Sequence, residues 1–232
     1  MNIPLDIHTH RLPQVPGEAI VNCSNETFFP QEGGWYSVGI HPWTIPALCA
    51  SREDSFLGSR DLYELESHLK VLASHPQVLA VGESGLDKLT AAPMFLQIAL
   101  FERQALLAME TGKPLVIHLV RAVAELLALK RTLRPTNPWI IHGFRGKAAL
   151  AEDYLRHGFF LSFGEKFQEE ALRLTPVDRL FVETDESNVG INELYARLAA
   201  VRGVSPEEFK KSVKENIVRA FFNPILLSGF RG

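Results

Sequence analysis

Six residues whose side chains commonly bind metal ions stand at or just after the ends of short apolar segments. His8 and His10 are two positions apart, so in an extended backbone their side chains point to the same face. A His-x-His pair alone is equally typical of an exposed loop, and the prediction of a metal site therefore depends on four further positions. These are Glu83 after Leu79–Gly82, His118 after Leu115–Ile117, His142 after Trp139–Ile141 and Asp185 after Leu180–Thr184.

The combination of four histidines and two carboxylates predicts a pair of divalent cations. It exceeds what one tetrahedral zinc ion needs, but it suits two adjacent ions that share a bridging carboxylate. Paired ions lower the pKa of a bound water and stabilise both the attacking and the leaving oxygen, so hydrolysis is the predicted reaction. Imidazole favours zinc, whereas carboxylates are also compatible with magnesium or manganese.

The other histidines are not expected to bind metal. His68 and His75 fall in or just after a predicted helix, and His157 stands at a helix end, where a cation interacts favourably with the helix dipole. His41 ends a strand in Gly39–Pro42 but would add a fifth histidine to a complete set. Two interpretations of His41 stay open, a contact to substrate and ordinary packing.

The elements that must position these residues repeat along the chain. Short apolar, β-branched segments end in polar residues or glycine, and helix-like segments separate most of them. This repetition predicts an α/β fold, a TIM-type (β/α)8 barrel forming one domain over residues 1–232, whose strand ends converge on one face. The predicted strands are Ile3–His8, Ala19–Asn22, Tyr36–His41, Val78–Gly82, Leu115–His118, Trp139–His142, Phe159–Phe163 and Leu180–Glu183.

Local signals mark where several helices begin and end. Asp61 and Glu64 have the spacing of a capping box, as do Ser205 and Glu208. A third helix is expected between the proline at position 93 and the glycine at position 112.

The gaps between the first three predicted strands lack such signals. Pro13 and Pro16 interrupt the gap after the first strand, and Pro30 with the Gly33–Gly34 pair interrupts the next gap. We therefore expect the covering helices to be missing there. The outer faces of these strands then need another cover, and a partner subunit in a homodimer is one candidate.

Composition sets the expected setting. The 24 basic against 27 acidic residues leave a net charge of −3, so the bulk charge does not mark a protein that coats nucleic acid or an anionic membrane. No stretch reaches the roughly 20 consecutive apolar residues of a membrane-spanning helix. Cys23 and Cys49 are expected to be free thiols, and the start of the sequence does not have the pattern of a secretory signal. A cytoplasmic protein is predicted.

Taken together, these motifs resemble the TatD family of metal-dependent hydrolases, the TatD-like deoxyribonucleases of the amidohydrolase-like superfamily. The likeness extends over nearly the whole chain, and the order and spacing of its motifs are specific. The stretches that carry it are Asp6–His10, Gly39–Pro42, Gly82–Asp87, Pro114–His118, His142–Gly146, Glu183–Asp185 and Glu215–Arg219, followed by Phe221.

The resemblance implies roles for the predicted ligands. His8, His10 and Asp185 would hold one metal ion, His118 and His142 the other, and Glu83 would bridge them. Asp185 would also orient the attacking water as a general base. The chain departs from the family pattern in two places, at Leu119–Val123 after His118 and at Glu186–Gly190 after Asp185, and both departures concern substrate binding.

Three functions remain open from the sequence. The first is a phosphodiesterase acting on DNA or RNA, with Asp185 and Glu83 as catalytic residues and His41, Arg121 and Arg145 contacting substrate. The second is an ester or amide hydrolase, such as an aminoacyl-tRNA deacylase, in which Glu186 would hold a substrate amine. The third is a non-catalytic metal-binding protein. Basic residues expected at the barrel mouth favour the phosphodiesterase, and they are Arg11, Lys88, Arg121, Arg145 and Lys147.

Overall fold

The computed structural model describes residues 2–24, 26–49 and 57–222, and its centre is a parallel β-barrel. Each of the eight strands pairs with the next one along the chain, so the predicted barrel is confirmed. The strands are β1 (Asp6–Thr9), β2 (Ala19–Cys23), β3 (Trp35–Val38), β4 (Val78–Asp87), β5 (Leu115–Val120), β6 (Trp139–Ile141), β7 (Phe160–Phe163) and β8 (Leu180–Val182).

The barrel closes between its last and first strands through a short bridge. Thr9 pairs with Asp185 in parallel register, the Asp185 N–H donates to the His8 carbonyl at 2.9 Å, and the His10 N–H donates to the Asp185 carbonyl at 3.2 Å. The buried carboxylate of Asp6 joins the same two strands. It accepts hydrogen bonds from the His8 N–H at 3.2 Å, the Thr184 N–H at 3.1 Å and the Thr184 hydroxyl at 2.6 Å.

Replacing Asp6 with alanine should therefore destabilise the barrel. One buried and one half-buried backbone donor and one hydroxyl would lose their acceptor, which should lower the free energy of unfolding by roughly 3 kcal/mol. Asp6→Asn is the matched control, because it keeps one acceptor oxygen and should cost less. Urea denaturation of both variants measures the difference, and a loss of under about 1 kcal/mol for Asp6→Ala would contradict the assigned role.

β3 and β4 end three and five residues from the predicted positions, whereas the other strands end within two residues of theirs. β3 ends at Val38 rather than His41, because the buried Gln104 side chain occupies both backbone hydrogen-bonding groups of Ile40. Gln104 Oε1 accepts the Ile40 N–H at 2.7 Å, and Gln104 Nε2 donates to the Ile40 carbonyl at 3.1 Å. β4 continues to Asp87 rather than ending at Gly82, because it stays paired with β5. A side chain at Gly85 would lie 1.9 Å from the His118 carbonyl oxygen, so only glycine fits this pairing.

Helices alternate with strands from β3 onward. They are α1 (Ile45–Cys49), α2 (Arg60–Ala73), α3 (Met94–Thr111), α4 (Val123–Leu133), α5 (Ala148–Arg156), α6 (Glu169–Leu174), α7 (Ile191–Arg202) and α8 (Pro206–Ile217), with a last π-turn at Val218–Phe222. Among the described residues, no helix is both long enough and apolar enough to span a bilayer.

The helix signals had mixed outcomes. The Ser205–Glu208 capping box is confirmed, and α3 begins after Pro93 and ends at Gly112 in the left-handed conformation. The capping box expected at Asp61 was wrong. Ser59 is the N-cap of α2, with its hydroxyl accepting the Leu62 N–H at 3.1 Å, and Asp61 lies in the first turn, where a negative charge suits the helix dipole.

No regular helix lies in the described parts of the gaps before β2 and before β3, as the prolines and glycines predicted. The chain itself supplies part of the cover. The ring of Phe28 contacts the ring of Tyr36 edge-on, with 5.4 Å between the ring centroids. Phe222 contacts Trp35 in the same way, with 5.3 Å between the ring centroids. A homodimer through this side stays a prediction.

Candidate metal centre

Glu83 stands in the middle of the cluster formed at the carboxyl ends of the strands. Its Oε2 atom is 3.4 Å from the Nε2 of His8 and 3.5 Å from the Nε2 of His10. Its Oε1 atom faces the other side, 2.9 Å from the Nδ1 of His118 and 2.7 Å from the Nε2 of His142. One carboxylate therefore contacts two separate pairs of imidazoles.

Asp185 completes the side that holds His8 and His10. Its Oδ1 lies 3.5 Å from the Nε2 of His10 and 3.9 Å from the Nε2 of His8. Its backbone has φ +53°, a left-handed conformation that costs most residues roughly 1 kcal/mol. The hydrogen bonds to β1 that close the barrel hold it there. The structure thus brings all six sequence-predicted residues together.

His41, for which substrate contact and ordinary packing were both open, lies directly against the cluster. Its Nε2 is 3.2 Å from the Oε1 of Glu83, and its Nδ1 accepts the Trp43 N–H at 3.1 Å, which starts the 3-10 turn Pro42–Thr44. The three histidines expected to lie outside the site do so. His157 ends α5, His75 contacts the ring of Phe28, and His68 is exposed on α2.

Polar residues behind the cluster orient it. Glu183 is fully buried, and its Oε1 lies 3.2 Å from the Nδ1 of His142. Asp87 is equally buried, with Oδ2 3.0 Å from the Nε2 of His118. Asn22 accepts the Glu83 N–H at 2.9 Å and donates to Glu83 Oε2 at 3.3 Å. Such partners fix ring orientation and tautomer in metal sites.

The charges of the cluster stabilise one another. Burial opposes the charged form of Glu83, but the charge of His142 and hydrogen bonds from imidazoles hold the pKa of the Glu83 carboxyl well below its usual range. Burial likewise disfavours charged His142, yet Glu83 and Glu183 raise the pKa of its imidazole well above the usual value. A hydrogen bond to Glu83 raises the pKa of His10. Carboxylates that favour positive charge so strongly suit bound cations.

The donor set fits divalent metal. His8 is fully buried, yet within the described residues neither of its ring nitrogens has a hydrogen-bond partner. Buried polar atoms seldom lack a partner, and a metal ion would provide one. Four overlapping groups of three residues could each hold an ion, because within each group the donor atoms lie within 4.8 Å of one another. The groups are His8/His10/Asp185, His8/Glu83/His142, His41/Glu83/His118 and His142/Glu183/Asp185.

The cluster opens into a cleft with two lobes. The larger lobe, of about 900 Å³, extends from the 3-10 turn at Trp43 past Leu119 to Tyr154. The smaller lobe, of about 370 Å³, lies beside the β8–α7 loop and contains Lys166 and Asn188. Gly143, Arg145, Asp185 and Glu186 line both lobes.

Only two of the five basic residues expected at the mouth line this cleft, Arg121 and Arg145. Arg11 instead holds the β8–α7 loop, donating to Asn188 Oδ1 at 2.6 Å and to the Glu186 carbonyl at 2.9 Å. Lys88 pairs with Glu125 at 2.6 Å, and Lys147 precedes α5 outside the lining of both lobes. Fewer of the predicted basic residues are therefore available to a substrate, and Lys166 in the smaller lobe adds one that the sequence did not predict.

Sequence reasoning missed the orienting residues. Asp87 and Glu183 lie inside motifs of the family resemblance, Asp87 five residues after Gly82 and Glu183 two residues before Asp185. For Asn22 the available signal was a polar residue at the end of an apolar strand. None of them could be assigned a partner from spacing alone, because their partners lie between 31 and 61 positions away in sequence.

A TIM-type barrel with imidazole and carboxylate donors gathered at its strand ends defines a class, the metal-dependent hydrolases built on this fold. A family model described as "TatD related DNase" matches residues 26–222. The chain belongs to this family, which confirms the resemblance in its motifs. The match begins after His8 and His10, so the place of these two residues in the cluster rests on the structure.

Relatives agree with this membership. The uncharacterized metal-dependent hydrolase YabD of Bacillus subtilis is 34% identical over 158 residues, which are 64% of this chain and 57% of that protein. The 3'-5' ssDNA/RNA exonuclease TatD of Enterobacter lignolyticus is 33% identical over 168 residues, 65% of this chain and 57% of the relative. The chain thus spans less than two thirds of the length of these relatives.

The crystal structure of YJJV, a TatD homologue from Escherichia coli K12, has the same fold. It superposes with a TM-score of 0.72 at 19% identity and covers 94% of this chain and 96% of that chain.

Proposed function

We propose that this protein hydrolyses phosphodiester bonds in DNA or RNA with two divalent cations, zinc in the first place. The observation that carries the proposal is the arrangement around Glu83, whose two oxygens face two different pairs of imidazoles. A carboxylate in this position is what two adjacent ions share. The nuclease name of one relative supports nucleic acid as the substrate.

The contacts in the cluster suggest which residues would hold each of the two ions. His8, His10 and Asp185 would hold one ion, His118 and His142 the other, and Glu83 both. When bound, the ions would supply an acidified water and neutralise charge on the phosphate.

Asp185 is the proposed general base. Its side chain is partly exposed to the cleft, whereas Glu83 and Glu183 are buried, so among these carboxylates it is the one that a water in the cleft can reach. A carboxylate held by backbone hydrogen bonds can accept the proton of an attacking water at one defined place. Arg121 and Arg145 would bind the phosphates of the strand, because they are the basic residues that line the larger lobe.

Glu186 supports a second candidate, hydrolysis of an ester next to an amine. It is exposed and lines both lobes beside Asp185, where a carboxylate would attract a substrate ammonium and repel a phosphate. An aminoacyl-tRNA carries both such an ester and such an amine. It therefore belongs among the test substrates.

Metal content and a substrate panel test the proposal. Elemental analysis of the purified protein should find close to two divalent cations per chain. Product release should then be highest from single-stranded DNA or RNA, lower from 3'-recessed duplex DNA and lowest from aminoacylated tRNA. Turnover of the aminoacylated tRNA alone would favour the second candidate, and a protein without bound metal or turnover would contradict both.

A cytoplasmic setting is part of the proposal. The thiol of Cys23 is buried and unpaired, and burial raises its pKa to about 11, which keeps it neutral and unreactive. The side chain of Cys49 lies outside the described part of the chain.

A further inference from the structure

Trp43 is exposed and yet firmly held. Its side chain is 62% exposed, but the indole Nε1–H donates to Asp87 Oδ2 at 2.6 Å, and Asp87 is only 1% exposed. Its backbone N–H donates to His41 Nδ1, which fixes the 3-10 turn from the other side. An indole that served only for packing would bury its ring, whereas this one is anchored at its edge and leaves its surface open.

The anchored ring stands beside the metal centre. The Asp87 carboxylate that holds it also contacts the Nε2 of His118, and Trp43 lines the larger lobe of the cleft. Asp87 is the register partner of Val120 in the sheet, and Arg121 follows directly. The indole is therefore bound at the end of β4, Arg121 follows the neighbouring strand β5, and both residues line the larger lobe.

This combination matches one nucleotide of a single strand. Every nucleobase has a flat π-face that stacks on an aromatic side chain, and the adjoining phosphate binds a basic group. A base inside a duplex has both faces covered by its neighbours, whereas an unpaired base has a free face that can stack on Trp43. The larger lobe is also lined by the apolar residues Leu119, Phe144 and Leu150, which suits a base.

We infer that Trp43 is a stacking platform for an unpaired nucleobase of the strand whose phosphodiester lies at the metal centre. The inference rests on the proposed function and makes it more specific. It names the residue that would bind a base of the strand, without preference for sequence, because stacking is common to all bases.

Trp43→Ala tests the inference when two substrates are compared. One is a single-stranded DNA oligonucleotide, and the other is the same oligonucleotide with tetrahydrofuran abasic nucleotides at its 3' end. The variant should lose about 10- to 100-fold in kcat/KM on the first, chiefly through KM, and less than about threefold on the second. Trp43→Phe should recover most of the loss, because it keeps an aromatic face.

The control variant is Phe95→Ala, which removes an aromatic side chain that is 51% exposed on α3 and does not line the cleft. It should behave as the unaltered protein on both substrates. Equal losses for Trp43→Ala on both substrates would overturn the inference, because the effect would then pass through Asp87 and His118 rather than through a base.

Binding separates this inference from the proposed function. Fluorescence anisotropy of a labelled oligonucleotide with phosphorothioate linkages, which resist hydrolysis, measured on the metal-loaded protein, should show about 10- to 100-fold weaker binding by Trp43→Ala to the base-bearing strand only. If the unaltered protein shows this base-dependent binding but hydrolyses no strand, the proposed function falls and the platform stands. If it hydrolyses strands and Trp43→Ala changes neither binding nor KM, only the platform falls. Neither binding nor turnover would overturn both.

Discussion

Replacing Glu83 with glutamine should remove most of the bound metal together with nearly all turnover. The change keeps the size of the side chain but removes the charge that both pairs of imidazoles contact. Loss of an orienting partner behind a ligand typically weakens metal binding roughly 10- to 100-fold, so loss of a shared ligand should exceed about 100-fold. Elemental analysis after dialysis against a weak chelator measures the first effect, and product release measures the second.

Two histidine variants serve as controls for the metal measurement. His68→Gln and His157→Gln each remove an imidazole outside the cluster and should leave metal content unchanged. If Glu83→Gln keeps its full metal content and normal turnover, Glu83 does not bridge two ions and the proposed centre is wrong.

The sequence predicted the barrel and the donor set because both follow from local signals. Each strand is a short apolar segment, and each donor stands at or within a few residues of the end of one, so the geometry of a parallel barrel brings them to one face. Glu83 and His118 differ in detail. They lie inside β4 and β5 rather than at the predicted strand ends, since the two strands keep pairing past the site and Gly85 permits that close contact.

What the sequence could not predict depends on contacts between distant residues. Gln104 of α3 hydrogen-bonds the backbone of Ile40, so β3 ends early. In the sequence Gln104 is only one polar residue in a predicted helix. The number of basic residues free to bind substrate at the barrel mouth was overestimated for the same reason. Arg11 and Lys88 are bound to partners 177 and 37 positions away. Trp43 was not singled out at all, because its significance depends on a carboxylate 44 positions later.

Asp185→Asn should lower turnover by about 10²- to 10⁴-fold while leaving KM and metal content nearly unchanged. The amide cannot accept the proton of the attacking water, but its oxygen can still serve as a weak ligand beside His8, His10 and Glu83. Asparagine also tolerates the left-handed backbone at φ +53°, so the hydrogen bonds that close the barrel onto β1 are kept. Steady-state kinetics with elemental analysis of the same preparation measures both effects.

The matched control for this variant is its neighbour. Glu186→Gln makes the same chemical change in a carboxylate that lines the same cleft but belongs to none of the donor groups among the described residues. Its turnover of single-stranded DNA should stay within about threefold of the unaltered protein, because no proton transfer depends on it. If Asp185→Asn loses metal as completely as Glu83→Gln, Asp185 acts only as a ligand and another group accepts the proton. If it loses neither metal nor turnover, the attacking water is not oriented at this carboxylate, and the mechanism proposed for the centre is wrong.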